Sequence, residues 1–194
     1  TLFPYTTLFR SWTELAKLWP RYRELLDGPP NSADAHELFA INEDVLNAAD
    51  VLAGTLARSE GTRKGQLINL AGRGRMQSQR AAKFFMFRQL GIRTANCGSR
   101  LDEASEEFSK VLGQIKAAVT DSPGLTARLE SSTNLWTLYR ESMEMRDPAE
   151  FPHVARKVFR ISEDLLNRTD AMVELCVGLP EVNDYPALVE IQQA

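Results

Sequence analysis

The segment LINLAGRGRMQSQRAAK (Leu67–Lys83) concentrates the residues of this chain that could do chemistry. Arginine guanidinium groups are planar donors of charge-assisted hydrogen bonds, which suits them to oxyanions. Glycines lie among these arginines, although a mid-helix glycine costs up to about 1 kcal/mol relative to alanine. That cost is offset where another backbone or a ligand approaches closely. The pattern therefore predicts an anion-binding or helix-contact surface, against the alternative of a plain solvated helix face.

A helical step of 100° per residue places several polar residues of this segment on one stripe. The candidate ligand-binding residues are Asn69, Gly72, Arg75, Met76 and Gln79, with Arg80 as a secondary candidate. The Gly72-Arg73-Gly74 run does not predict a nucleotide loop, because a third glycine and a preceding strand are both missing.

The run INLAGRGRMQSQR (Ile68–Arg80) resembles the P-box of the NarX-type nitrate and nitrite sensor kinases, I-N-x-A-G-x-x-R-M-Q-S-x-R. It resembles still more closely the N-terminal domain of PilJ-type chemotaxis transducers, which favours A-G-R-x-R-M and S-Q-R-x-A-K. Leu70 replaces a lysine of the kinase motif. The kinase resemblance implies that Arg75 and its dimer mate clamp one nitrate at a two-fold axis, and that Gly72 permits close approach.

The resemblance further implies a periplasmic sensory domain for nitrate, nitrite or a similar small anion, acting as a homodimer beside a membrane-bound signalling partner. Two guanidinium groups facing each other repel by about 4 kcal/mol at 4 Å and an effective dielectric of 20. A planar anion between them converts that repulsion into hydrogen bonds. The alternative function is a ligand-free helical interaction module of a chemotaxis or type IV pilus system.

Composition and charge favour no other class of function. The net charge of −3 gives no global reason to expect nucleic acid, and 43% hydrophobic residues are ordinary for a globular chain. His36 and His153 are the only histidines, without a Ser/His/Asp or Cys/His signature, so we expect no enzyme activity, cofactor or metal. Cys97 and Cys176 are predicted not to pair, because a bundle would place them at opposite ends.

Apolar residues that recur at spacings of three and four positions predict an all-α fold, whose complete unit is an antiparallel up-down four-helix bundle. The break DGPPNS (Asp27–Ser32) precedes a helix over 34–58, and a long helix follows over about 63–90. Later helix starts are predicted by a Ser99–Asp102 capping box, by Ser122 with Pro123, and by Asp147 with Pro148, the last helix running to about Val177.

An internal repeat divides the chain. LWPRYRELL and LWTLYRESM are similar, and Trp19 of the first corresponds to Trp136 of the second at an offset of 117 residues. INEDVLNAAD and ISEDLLNRTD are identical at six of ten positions, with Ile41 and Ile161 at an offset of 120. Two matches in the same order predict a complete four-helix repeat preceded by the last two helices of a truncated first copy.

The opening TLFPYTTLFRS (Thr1–Ser11) resembles the in-frame translation of a common sequencing adapter. We therefore interpret residues 1–11 as an artefact and expect native sequence, with a signal peptide or membrane anchor, upstream of the junction. The predicted organisation is an artefact over 1–11, half a repeat over 12–61, a complete sensory repeat over 62–178 and a tail over 179–194.

Overall fold

The computed structural model describes residues 3–118, 123–144 and 147–178, and these ranges are almost entirely helical. The helices are α1 (Phe3–Asp27), α2 (Ser32–Glu60), α3 (Arg63–Gln89), α4 (Thr94–Ala118), α5 (Pro123–Met143) and α6 (Phe151–Val177), with a 3-10 turn at Pro148–Glu150 before α6. No strand occurs in these ranges, and the predicted all-α class is confirmed.

The chain divides into two compact units, Thr1–Gly61 and Thr62–Ala194. The first unit is a hairpin in which α1 packs against α2. An ion pair joins its two helices, since Arg21 Nε and Nη2 lie 2.7 and 2.6 Å from the two carboxylate oxygens of Glu37.

The second unit is a bundle in which α3 packs against both α4 and α6, and α5 packs against α6. Arg63 donates to the carbonyl of Ala118, and Arg80 lies 3.7 Å from Glu103, so α3 and α4 run antiparallel. The core includes fully buried aromatic rings from three helices, Phe84, Phe108 and Tyr139. This is the helical bundle that the sequence predicts.

Local signals set both ends of α2 and the start of α3. The side chains of Asn31 and Thr62 accept hydrogen bonds from the backbone N–H groups of Asp34 and Gly65, and so cap α2 and α3. Gly61 closes α2 in the left-handed conformation, with φ of 69°, which glycine adopts without a steric penalty. The two helices are therefore separate.

The predicted start of α4 at a Ser99 capping box is wrong, because α4 begins at Thr94. Ser99 Oγ instead donates to the carbonyl of Asn96, 3.2 Å away and inside the helix. Positive φ angles at Gly91 (75°) and Arg93 (49°) complete the turn earlier than the sequence suggested. The residues between this turn and Ser99 therefore belong to α4.

Helix α1 begins at Phe3 and so runs through the segment 1–11 that we interpret as an artefact. Ser11 is buried, and Thr13 Oγ1 donates to the carbonyl of Phe9 at 2.7 Å. The foreign origin of this segment stays a prediction. The predicted cap at Ser122 and the tail 179–194 lie outside the described residues.

Candidate functional site

The predicted site lies on α3, and its central residue faces α6. Arg75 Nη1 lies 2.7 Å from Asp170 Oδ1, a contact between residues 95 positions apart in sequence. Both side chains are about half exposed, at 53% and 44%. The guanidinium group is therefore already paired with a carboxylate oxygen, yet it lies at the surface where another acceptor can reach it.

Gln79 lies one turn beyond Arg75 and contacts the same helix. Its Nε2 donates to the carbonyl of Ser162 at 3.0 Å. Asn69 and Met76, on the same helix, are half-buried. The structure thus brings Arg75 and Gln79 together along the α3–α6 seam, as expected for two residues on the same stripe of α3.

Arg80 belongs to a different surface of α3. Its side chain is only 9% exposed and faces Glu103 on α4. Nη1 donates to Gln77 Oε1 at 3.1 Å, and the guanidinium carbon lies 5.4 Å from the centre of the Phe84 ring. This environment makes Arg80 part of the α3–α4 packing, away from Arg75.

The two glycines of the motif have opposite surroundings. A Cβ atom built on Gly74 would lie 3.2 Å from Val111 Cγ1 and 3.7 Å from Phe108, so this glycine permits the close approach of α3 and α4. For a Cβ atom built on Gly72, no described atom outside the backbone of its own helix turns lies within 4 Å. Within the chain the packing glycine is Gly74, whereas Gly72 leaves open surface beside Arg75.

Beneath the site, a network of polar groups is buried in the bundle. Tyr139 is fully buried, and its hydroxyl donates to the carbonyl of Ser78 at 3.4 Å. Burial raises the pKa of Tyr139, against a smaller lowering by its hydrogen bond with Ser162. Burial also raises the pKa of the Cys176 thiol to about 11. Such groups stay neutral and fix the packing of the helices.

A groove of about 530 Å³ opens between α4 and α5. Its lining combines apolar groups, such as Leu112 and Trp136, with the cationic side chains of Lys116 and Arg140. These helices share the smallest contact of any sequential pair in the bundle. The groove lies across the bundle from the α3–α6 seam, and no sequence pattern predicted it.

Sequence reasoning missed two partners of the site, Asp170 and Ser162. A signal for Asp170 existed, since it is one of the identical positions shared by ISEDLLNRTD and INEDVLNAAD. Within the described ranges, no group of three or more His, Cys, Asp or Glu side chains could hold a metal. None of the described helices is long and apolar enough to span a membrane.

The second unit is thus an all-helical bundle in which the Arg75–Asp170 ion pair joins α3 to α6. The family profile named PilJ, described as the N-terminal region of type IV pili methyl-accepting chemotaxis transducers, matches residues 55–151. This match covers half of the chain, from the end of α2 to the first residue of α6, and the chain belongs to the PilJ family. Neither the curated proteins nor the solved structures contain a match to it.

Proposed function

We propose that this chain is a helical interaction module of a chemotaxis or type IV pilus signalling system, and that it acts as a homodimer through α3. Membership of a family of chemotaxis transducers supports the signalling role. The observation that carries the proposal is the pairing of Arg75 with Asp170 beside the open surface at Gly72. Arg75 has a carboxylate partner within the chain, while the adjacent backbone is accessible to another helix.

The ion pair suits a signalling contact because it is weak. Half-exposed ion pairs contribute about 0–1 kcal/mol, so a partner that offers another acceptor can draw Arg75 away from Asp170 at little cost. Loss of that contact would loosen α6 from α3 along the seam. A partner that prefers one arrangement shifts the population toward it, which is how a ligand or a second subunit transmits a signal.

A second candidate is a nitrate or nitrite sensor, favoured by the resemblance of Ile68–Arg80 to the P-box and by the exposure of Arg75. In such a sensor the anion would displace the Asp170 carboxylate, and Arg75 from two subunits would share it. Chemotaxis transducers of this family typically hold this domain in the periplasm. We propose the same location here, beside a membrane-bound partner.

Disulfide cross-linking tests the homodimer. Gly72→Cys should give a covalent dimer on mild oxidation, because two α3 helices meeting at this surface bring their Cβ atoms close enough to bridge. Gly113→Cys is the matched control, since Gly113 is also a helical glycine with no described atom within 4 Å of its Cβ position. Equal cross-linking of the two variants, or none by Gly72→Cys, would exclude an α3 interface.

Calorimetry with sodium nitrate and sodium nitrite at low chloride separates the two functions. The interaction module predicts no binding heat. One anion bound per dimer, abolished by Arg75→Ala and retained by Arg160→Ala, would establish the sensor instead. Arg160 is the control because it is an exposed arginine of α6, ten residues before Asp170.

A further inference from the structure

The first unit repeats the α5–α6 half of the bundle in its geometry. The rings of Trp19 and Tyr22 lie 5.8 Å apart at an angle of 50°, and those of Trp136 and Tyr139 lie 5.5 Å apart at 53°. Tyr22 accepts a hydrogen bond from Asn42, and Tyr139 bonds to Ser162, which is the same position at the offset of 120. The α1–α2 hairpin is therefore laid out like the α5–α6 hairpin.

The two hairpins differ in what covers them. Trp12, Trp19 and Leu26 recur at every seventh residue of α1 and, with Leu56 of α2, are between 50% and 59% exposed. The corresponding residues of α5 and α6 are all buried to 4% exposure or less. They are Leu129, Trp136, Met143 and Cys176.

In the second unit, α3 and α4 provide this cover. The Phe108 ring lies 4.3 Å from that of Trp136, and Ser109 Oγ accepts a hydrogen bond from Trp136 Nε1 at 3.1 Å. The carbonyl of Ser78 on α3 accepts from Tyr139. The stripe of the first unit has a spacing of seven residues along α1 and includes two tryptophans. It needs a comparable partner, because a seam of this spacing is buried when helices pack side by side.

We propose that the stripe formed by Trp12, Trp19, Leu26 and Leu56 is the docking surface for a pair of antiparallel helices of the α3–α4 type. The pair belongs to a preceding repeat of the same polypeptide. It presents an aromatic ring to Trp19 and a hydroxyl group to its indole nitrogen, as Phe108 and Ser109 do for Trp136. The first unit thus becomes the second half of a four-helix bundle.

Supplying the missing helices tests this directly. Residues 62–128, which hold α3 and α4, are joined ahead of Trp12 in place of residues 1–11, so that Trp12 takes the position of Leu129. Trp12→Phe and Trp136→Phe leave Trp19 as the only indole in both the extended and the original chain. Acrylamide quenching of the Trp19 fluorescence should be weaker in the extended chain than in the original chain. The expected factor is roughly the ratio of two exposed fractions, 50% for Trp19 and 4% for Trp136.

The control extension carries Phe108→Glu in the added copy, which removes the ring expected against Trp19 and should leave the quenching high. Equal quenching in the original and extended chains would overturn the proposal. The proposal would also be overturned if Trp19 of the original chain became more protected as the protein concentration rises, because a second copy would then cover the stripe.

Discussion

Replacing each of the two motif glycines by alanine should change stability in opposite ways. Both glycines lie inside α3, so each replacement relieves about 0.5–1 kcal/mol of backbone entropy cost. At Gly72 nothing within the chain opposes that gain, because no described atom outside the backbone of its own helix turns lies within 4 Å of the new methyl group. We expect Gly72→Ala to stabilise the second unit by up to about 1 kcal/mol, or roughly 3–5 °C in Tm.

At Gly74 the new methyl group would lie 3.2 Å from Val111 Cγ1, closer than an ordinary contact of about 3.5–4.0 Å. Val111 and Phe108 are buried, and a β-branched valine has little rotamer freedom with which to yield. Overpacking typically costs about 1–3 kcal/mol, so it cancels or exceeds the gain in backbone entropy. Gly74→Ala should therefore be at least about 1 kcal/mol less stable than Gly72→Ala.

Urea unfolding followed by Trp136 fluorescence, with Trp12→Phe and Trp19→Phe in every variant, reports the second unit alone. Gly113→Ala on α4 is the matched control for the gain in helix propensity and should behave like Gly72→Ala. If Gly74→Ala proves as stabilising as Gly72→Ala, the approach of α3 to α4 does not require a glycine, and the packing argument fails.

Three further predictions, each with its own control, concern the core and the α3–α6 seam. Trp136→Ala should destabilise the second unit by about 3–5 kcal/mol in urea, since its ring is buried, whereas Trp19→Ala should cost much less because Trp19 is half exposed. Burial raises the pKa of Tyr139, so only the unfolded chain loses the phenolic proton near pH 10 and stability should fall as the pH rises above about 10. Tyr139→Phe should flatten that decline; an unchanged slope would assign it to other groups. Asp170→Asn should change Tm by no more than about 5 °C but should strengthen any nitrate binding seen by calorimetry. Asp164→Asn, which breaks an exposed pair within α6, should leave nitrate binding unaltered.

Much of the fold was predictable because helices are specified locally. Apolar spacing, the break at Asp27–Ser32 and the N-cap residues act over a few positions. The structure places α2 and α3 where these signals indicate, and α6 ends at Val177 as predicted. The prediction of a helix start at Ser99 was wrong because it also used only local sequence. A pattern of two residues cannot show that the turn at Gly91 and Arg93 is already complete.

The sequence by itself determined that Arg75 lies on a polar stripe of a helix, together with Gln79, because periodicity fixes which side chains share a face. Only the tertiary structure decided what each side chain meets. Asp170 reaches Arg75 across 95 positions of sequence, and Arg80 turns into the α3–α4 packing although it carries the same charge. The tertiary structure also decided which glycine packs and which stays open, since that depends on how closely α4 approaches α3. Contacts between distant segments depend on how several helices pack at once, and no local pattern encodes that arrangement.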